Sequence, residues 1–496
     1  MDIDTTQLLA TFSTEVWLGA LALLLILVDL VTGRGKLTGP ADVVRMAALG
    51  GLLLVLWHTF TLVPEAAGAW GTLDTFAIYF KRFFVATGIV TLIVSQPYDV
   101  RFEAGRGEFP VLIVFTLLGM SLLASVSDFV TLFVGLELVT VTLFMMAAWR
   151  SGLPRSIEAG LKFVIIGAIA AAFLVYGTAF VYGTTGSLEF ADVRAVLAAG
   201  PMSAGLKFGL LLVIVGLCFK IGAVPFHLWI PDVYQGAPTP VTSFLSVGSK
   251  AAGVVLLMRL VFSVLGPAAA QWVTILAGLS ALTLLMGNLG AITQTDLKRF
   301  LGYSGISHAG YLLLAMAVGP DILVGTHGVE AREYAASAIL FYLVAYLLAN
   351  SVAFLVIIIV SRTDDDSHMD RINGLAQRKP FLAFALTVAM LSLAGVPPFA
   401  GFVAKFMILR AAVADPALLP FVILSLVMVV VSLYYYLCIL KRMYFRDPID
   451  EGVLEEPGPA ARILLYGGVL GSIVLGIYFN PIVEAANVGA HSLFGN

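Results

Sequence analysis

The sequence predicts an all-α polytopic membrane protein with about 14 transmembrane helices, arranged in part as two inverted five-helix repeats. Three observations lead to this prediction. Of the 496 residues, 60% are hydrophobic and only 12% are charged, and the mean hydropathy is +0.99. Apolar runs long enough to cross a bilayer recur along the whole chain. Two of these runs are interrupted by glycine and proline, and the two interrupted helices run in opposite directions.

The composition excludes a soluble fold, because a soluble protein of this length carries about twice as much charge. The surplus of apolar residues must face the lipid bilayer, and we expect no nucleic-acid partner. Cys218 and Cys438 both lie in apolar runs, so we expect neither a disulfide nor a metal or cluster site. The acidic N-terminus lacks the basic start of a signal peptide, so the first apolar run is predicted to be a permanent helix.

Continuous apolar runs in lipid must be helical, because every backbone polar group there needs an internal partner. Predicted helices 1 to 14 cover residues 13–33, 43–63, 73–96, 109–126, 127–148, 157–183, 205–231, 240–265, 271–291, 296–318, 333–361, 378–412, 417–440 and 462–480. The longest polar connections are 362–379 and 441–461. Four regions are predicted: residues 1–108 with helices 1–3, 109–265 with helices 4–8, 266–440 with helices 9–13, and 441–496 with a cytoplasmic loop and helix 14.

The basic residues predict the orientation of the chain. The loops after odd-numbered helices hold 17 of the 28 Lys and Arg residues, whereas the opposite side holds six, including Lys81 and Arg332 at helix ends. Since loops rich in Lys and Arg remain cytoplasmic, both termini are predicted to lie on the outer side of the membrane.

Six ionisable residues within predicted spans are assigned to neither membrane face. They are Glu137, Lys162, Lys220, Lys250, Arg259 and Lys405. A lysine near the middle of a bilayer costs roughly 2.5–3.5 kcal/mol, so such residues face the bundle interior and usually mark an ion path. Two of them have a simpler interpretation. Lys162 could form a helix pair with Glu158, and Arg259 could extend its side chain to the outer interface.

Helices 7 and 12 are predicted to be broken. Pro225 in "CFKIGAVPFH" removes a backbone donor, and freed carbonyls in a bilayer are tolerated only beside protein or water. Helix 12 contains Pro397 and Pro398 in "SLAGVPPFAGFVAKF". The two breaks predict inverted repeats of helices 4–8 and 9–13. In that arrangement Lys220 and Lys405 are expected at related positions, and His227 lies beside the first break.

The sequence contains no recognisable site for a reaction that could supply energy. It contains no phosphate-binding loop, dinucleotide fingerprint, cysteine set for iron–sulfur clusters or metal motif. From the residues alone, the interpretation is a proton or cation path whose energy comes from a partner subunit or a passive gradient.

Five stretches give the chain a recognisable resemblance. They are "SDFVTLFVGLEL", "RSIEAGLKFVIIGA", "VPFHLWIPDVYQGAPTPVTSFLSVGSKAAG", "DLKRFLGYSGISHAGYLL" and "SLAGVPPFAGFVAKF". Together they resemble the antiporter-like membrane subunits of respiratory complex I. The resemblance implies 14 helices, two inverted repeats and proton translocation driven by quinone reduction elsewhere in the complex. It also implies sibling antiporter-like subunits as partners. No cofactor is expected in this chain, and NADH, FMN, iron–sulfur clusters and quinone are expected in other subunits.

The resemblance also implies which residues carry the proton. The family positions fall on Glu137, Lys162, Lys220, Lys250, Lys405, His227 and His308. For the two histidines, a relay role and a role in hydrogen bonding to a broken helix remain equal alternatives. We further expect Glu137 and Lys220 to form a charge pair, since no other acid is predicted deep in a span. Two other functions stay open: a cation/proton antiporter or membrane-bound hydrogenase subunit of the same fold, and a structural arm subunit that carries no ion.

Overall fold

The computed structural model describes residues 5–32, 40–65, 71–102, 105–320, 323–324, 329–361, 365–448, 454 and 456–494. Parts of the polar connections 362–379 and 441–461 therefore lie outside the described residues. So do Arg34, Lys36 and Arg362, which contribute to the predicted charge bias between the two membrane faces.

The predicted helices appear in order along the described chain. Helices 1 to 6 are Ser13–Thr32, Pro40–Thr59, Thr75–Ser95, Glu108–Ala124, Phe129–Ala147 and Pro154–Thr185. Helix 7 consists of Ala204–Ile221 and Trp229–Gly236, and helix 8 runs from Thr239 through α-helical and π-helical segments to Val264. Helices 9 to 11 are Ala269–Ile292, Leu297–Met316 and Ala331–Val360. Helix 12 consists of Pro380–Ala394 and Ala400–Val413, and helices 13 and 14 are Leu419–Phe445 and Pro459–Ile477.

Shorter elements connect these helices. The short α-helices are Thr5–Thr11, Phe190–Ala199, Leu375–Arg378 and Asn480–His491. The 3₁₀ turns are Gln96–Arg101, Gly266–Ala268, Met369–Ile372 and Pro416–Leu418. Two-residue antiparallel strands at Leu323–Val324 and Val329–Glu330 precede helix 11.

Eleven helical segments in the described chain are long and apolar enough to cross a membrane. The other three predicted crossings are too short or too polar to meet this criterion of length and hydropathy. Helix 4 has only 17 residues, helix 10 carries Lys298, Arg299 and His308, and helix 12 is broken into two short halves. The predicted all-α polytopic fold class is confirmed, although composition alone does not identify every crossing.

The two broken helices end their first halves in the same way. Gly222 and Gly395 adopt left-handed backbone angles, with φ of 73° and 85°. Glycine tolerates this conformation because it has no Cβ. Each break has a proline three residues after its glycine, at Pro225 and Pro398, and both prolines follow a cis peptide bond. The shared pattern places an equivalent irregular segment in each predicted repeat.

Buried ion pairs fasten the N-terminal helices to the bundle. Lys81 of helix 3 is fully buried and lies 2.9 Å from a carboxylate oxygen of Glu15 in helix 1. Glu15 also accepts a 2.6 Å hydrogen bond from Ser121. Lys81 and Glu15 both lie within the first two turns of their helices, so Lys81 lies near a helix end as predicted, but its amine is satisfied inside the protein. Helix periodicity gives no indication of which charged residues near helix ends are turned inward.

Arg259 in helix 8 is also buried and paired. Its guanidinium donates to both carboxylate oxygens of Asp74 at 2.9 Å and to the carbonyl oxygen of Ala124 at 2.7 Å. The interpretation that Arg259 extends to the outer interface is therefore wrong. A carboxylate at the start of helix 3 satisfies the charge inside the protein, so the side chain has no need to reach water.

The connection between helices 11 and 12 inserts a carboxylate into the bundle. Asp365 is only 2% exposed and accepts hydrogen bonds from Thr239 at 2.7 Å, Tyr98 at 2.8 Å and Lys298 at 3.3 Å. Burial opposes its ionisation, but Lys298 and the two hydroxyl donors hold the pKa of Asp365 below its usual value. This carboxylate joins helices 8 and 10 to the turn after helix 3.

Candidate functional site

Lys220 occupies the last turn of the first half of helix 7. The side chain is 7% exposed, and its amine donates a hydrogen bond to the hydroxyl of Thr140 in helix 5. Among the described residues, no ion pair within 4.0 Å joins Lys220 to Glu137, although the Glu137 charge acts on the amine. Glu137 is partly buried, and its Oε1 has no hydrogen-bond partner in the described chain. The expected ion pair is therefore not formed in this structure.

In each broken helix, a side chain from the second half donates a hydrogen bond to a backbone carbonyl near the end of the first half. The Trp229 indole donates to the carbonyl oxygen of Phe219 at 3.2 Å. The Lys405 amine donates to the carbonyl oxygen of Ala394 at 3.0 Å. A donor at the end of a helix is favourable because the last carbonyls lack partners within the helix. Lys405 is thus held at the negative end of a helix in the interior.

The expectation that Lys220 and Lys405 occupy related positions is wrong. Lys220 precedes its capping glycine by two residues, whereas Lys405 follows its own by ten. The residue of helix 7 that follows its capping glycine by ten, and so corresponds to Lys405, is Asp232. The repeats share the break, but each places its charged side chain on a different half of the broken helix.

Lys250 lies in helix 8 directly after a π-helical segment, Leu245–Ser249. Such segments widen the helix and are frequent at functional sites. The Lys250 amine donates to the carbonyl oxygen of Gly305 in helix 10. A methyl group on Gly305 would lie 3.0 Å from that amine and 3.1 Å from the hydroxyl oxygen of Tyr346. Because residue 305 is a glycine, the Lys250 amine can reach the backbone of helix 10.

His308 lies in helix 10 between the elements that carry Lys250 and Lys405. The charges of both lysines act on its ring. Its Nδ1 is hydrogen-bonded to the hydroxyl of Tyr342, and its Nε2 lies 3.3 Å from the hydroxyl oxygen of Tyr436. The imidazole is therefore saturated by two hydroxyl partners, and it does not bond to either helix break.

Lys162 and His227 occupy different surroundings. The Lys162 side chain is 41% exposed and pairs with Glu158 at 2.8 Å and with Asp232 at 2.7 Å. The helix pair with Glu158 is thus present, and Lys162 lies at the periphery of the bundle in this single chain. His227 lies in the first break, is 8% exposed, and has no hydrogen-bond partner for Nδ1 in the described chain.

Sequence reasoning missed the tyrosines that surround His308. Helix 11 contributes Tyr342 and Tyr346, and helix 13 contributes Tyr435 and Tyr436, all less than 5% exposed. The sequence does hold a signal for them, since the motifs "YLVAY" and "LYYYL" place hydroxyls inside apolar runs. A buried hydroxyl needs a partner, and here the partners lie on other helices.

Lys220, Lys250, His308 and Lys405 supply groups that both bind and release protons, and each is less than 9% exposed. Among the described residues, no group of three or more His, Cys, Asp or Glu side chains could hold a metal ion. Cys218 and Cys438 are both free thiols. The arrangement can carry protons, and the described side chains offer no set of ligands for a metal.

Comparisons with known proteins identify the family. The family model described as "NADH:quinone oxidoreductase/Mrp antiporter, TM" matches residues 126–432. "NADH-quinone oxidoreductase subunit N" from Desulforamulus reducens is 39% identical over 451 residues, covering 90% of this chain and 91% of the relative. The stretch from Pro231 to Lys250 predicts similarity to subunit N in particular, and this prediction is confirmed.

Solved structures agree with this result. A chain of respiratory complex I from Thermus thermophilus, solved with bound aureothin, has a TM-score of 0.79 and 34% identity, covering 95% of this chain and 98% of that chain. A chain of the Mrp complex from Dietzia has a TM-score of 0.82 over 98% of both chains, but at 19% identity it shows the fold alone. The chain therefore belongs to the NADH:quinone oxidoreductase/Mrp antiporter family of membrane proteins.

Proposed function

We propose that the chain is a proton-translocating membrane-arm subunit of an NADH–quinone oxidoreductase, the bacterial respiratory complex I. Its relatives carry the name of subunit N of that enzyme. The chain acts as part of a translocase and performs no redox chemistry itself. Its partners are the other membrane subunits, including sibling antiporter-like subunits, and its surroundings are the lipid bilayer of the inner membrane.

The observation that carries this proposal is the row of buried ionisable groups within the region that matches the family. Lys220, Lys250, His308 and Lys405 lie on four different membrane helices, and two of those helices are broken. Unpaired charges at such depth are costly and are kept where ions move. Buried amines also change protonation state readily when neighbouring charges move.

We assign roles along this row. Glu137 and Lys220 form the control pair, which closes when a charge or movement arrives from a neighbouring subunit. Lys250 and His308 carry the proton through the middle, and Lys405 is the terminal site, from which the proton leaves toward the outer face. Lys162 connects the path to the periphery through Asp232, and His227 lines the first break. Energy for the step comes from quinone reduction in another subunit, where NADH, FMN and iron–sulfur clusters also bind.

We also propose the division of the chain and its orientation. Residues 1–108 form the N-terminal unit, 109–265 and 266–440 form the two repeats, and 441–496 form a cytoplasmic loop and the last helix. Both termini lie on the periplasmic side. The bias of Lys and Arg between the two faces supports this orientation.

Two experiments test the function. Purification of the intact complex through a tag on this chain should bring down subunits that oxidise NADH and reduce quinone. In proteoliposomes, electron transfer should then acidify one side, with a response abolished by a protonophore. The alternative is a cation/proton antiporter subunit, favoured by the family description and by the shared Mrp fold. Sodium-dependent proton movement without electron transfer, and isolation without redox subunits, would establish the alternative instead.

A further inference from the structure

Both ring nitrogens of His308 face tyrosine hydroxyls that come from different helices. Tyr342 of helix 11 meets Nδ1, and Tyr436 of helix 13 meets Nε2 at 3.3 Å. The Tyr436 hydroxyl also lies 2.5 Å from the Ser304 hydroxyl. Four side chains thus form one hydrogen-bonded series, Ser304–Tyr436–His308–Tyr342, and each of them is at most 4% exposed.

The hydrogen bonds of this series can point in either of two directions, here called its two polarities. A neutral imidazole donates through one nitrogen and accepts through the other. In the first polarity Tyr342 donates to Nδ1, Nε2–H donates to Tyr436, and Tyr436 donates to Ser304. In the second polarity every donor and acceptor is exchanged. A series with two equivalent polarities can conduct a proton, because the passage of one proton converts one polarity into the other.

Lys250 and Lys405 of the proposed path both lie beside aromatic rings that neighbour His308. The Lys250 amine is 5.5 Å from the centre of the Tyr346 ring, which is 4.9 Å from the centre of the His308 ring. The Lys405 amine is 5.0 Å from the centre of the Tyr311 ring, three residues after His308 on helix 10. The Tyr346 hydroxyl is buried without a partner in the described chain.

We propose that Ser304, Tyr436, His308 and Tyr342 form a proton relay between Lys250 and Lys405, with the tyrosine hydroxyls as necessary carriers. This inference rests on the proposed function and extends it to residues beyond the lysine row. In the second polarity, a proton binds the Ser304 oxygen while the serine proton passes to Tyr436. The Tyr436 proton passes to Nε2, the Nδ1 proton passes to Tyr342, and the Tyr342 proton leaves. Each side chain gains one proton and loses one, with His308 gaining at Nε2 and losing at Nδ1, and the first polarity carries a proton in the opposite direction.

The test removes one hydroxyl at a time from the whole complex. Tyr342→Phe and Tyr436→Phe keep the rings and interrupt the series. Tyr79→Phe is the matched control, since its hydroxyl donates to the carbonyl oxygen of Leu340 at 3.1 Å and lies outside the series. We expect proton translocation in proteoliposomes to fall about 100-fold or more in the two relay variants, which is the scale of a lost proton-transfer group. Tyr79→Phe should remain close to the unmodified complex.

A second variant separates relay from packing. His308→Gln keeps a donor and an acceptor for the tyrosines but cannot exchange protons between them, so it should lose translocation as the Phe variants do. The solvent deuterium isotope effect on residual translocation should rise in all three variants and not in Tyr79→Phe. Normal translocation in His308→Gln or in both relay variants overturns the relay. If Lys250→Ala and Lys405→Ala still abolish translocation in that case, only the relay fails. If they too translocate normally, the proposed function fails as well.

Discussion

Lys220 and Glu137 lie on helices 7 and 5 without forming an ion pair, because the Lys220 amine donates instead to Thr140, three residues after Glu137. Glu137 meanwhile keeps one carboxylate oxygen buried without a partner in the described chain. The proposed control pair would have two states: an open one, as in this structure, and a closed one in which the two charges meet. A carboxylate beside a buried amine favours the charged form, and its departure favours release of the proton.

A double-mutant cycle tests this pair. Glu137→Ala and Lys220→Ala should each reduce turnover of the complex, because removal of one charge leaves the other uncompensated in the interior. The double variant should be less damaging than the two losses added together. Thr140→Val, which removes the alternative partner of Lys220, should favour the closed pair and alter turnover as well. Strictly additive losses in the cycle would show that the two residues act independently.

Asp74 and Arg259 form the buried pair that ties helix 3 to helix 8. Asp74→Ala should destabilise the protein by about 3–5 kcal/mol, because it leaves a guanidinium buried without its carboxylate. Thermal unfolding and native-gel assembly of the detergent-solubilised complex measure the effect. The double variant Asp74→Ala/Arg259→Ala should be less damaging than Asp74→Ala alone, and exposed Asp192→Ala should change little. Equal stability of Asp74→Ala and the unmodified protein would contradict the pair's role.

Asp365 predicts a pH-dependent contribution to stability. Its pKa is held below the usual value, against the effect of burial, by Lys298 and by hydrogen bonds from Thr239 and Tyr98. A lowered folded-state pKa contributes stability above the unfolded value of about 3.9, and this stability is lost as the pH falls through the folded pKa. Asp365→Asn should therefore be much less stable than the unmodified chain near neutral pH. The difference should shrink below about pH 4. A difference that is unchanged at both pH values would contradict this assignment.

The orientation is tested by labelling. His368 precedes helix 12 and is well exposed, with 47% of its side chain accessible. In a Cys438→Ser background, where buried Cys218 remains as the other thiol, His368→Cys should react with a membrane-impermeant maleimide only in inverted vesicles. Glu189→Cys, at an exposed residue on the opposite connection after helix 6, should react in intact cells. The reverse labelling pattern would overturn the proposed topology.

The sequence predicts the fold well because each crossing of a bilayer leaves a long apolar run. It also predicts both breaks, since glycine and proline interrupt those runs in the same order. It does not predict which charged residues at helix ends turn inward. Lys81 and Arg259 each lie near a helix end, and only the packed helices bring Glu15 and Asp74 against them.

The candidate site was predictable in part. Lysines such as Lys250 and Lys405 stand out because charge is costly in an apolar run. Tyr342 and Tyr436 do not stand out, since tyrosine is tolerated both in cores and at interfaces. Their convergence on His308 depends on how helices 10, 11 and 13 pack, and spacing along one helix carries no information about that.

The central claim, that protons pass through the buried row, is tested most directly at Lys405. Lys405→Arg keeps a charged donor for the Ala394 carbonyl, but arginine does not release its proton. Lys405→Ala removes both properties, and Lys207→Ala, on an exposed lysine at the start of helix 7, is the control. The measurement is the ratio of protons translocated to electrons transferred by the assembled complex in proteoliposomes. The account predicts a lowered ratio in both Lys405 variants and a normal ratio in Lys207→Ala. A normal ratio in assembled Lys405→Arg and Lys405→Ala complexes would contradict it.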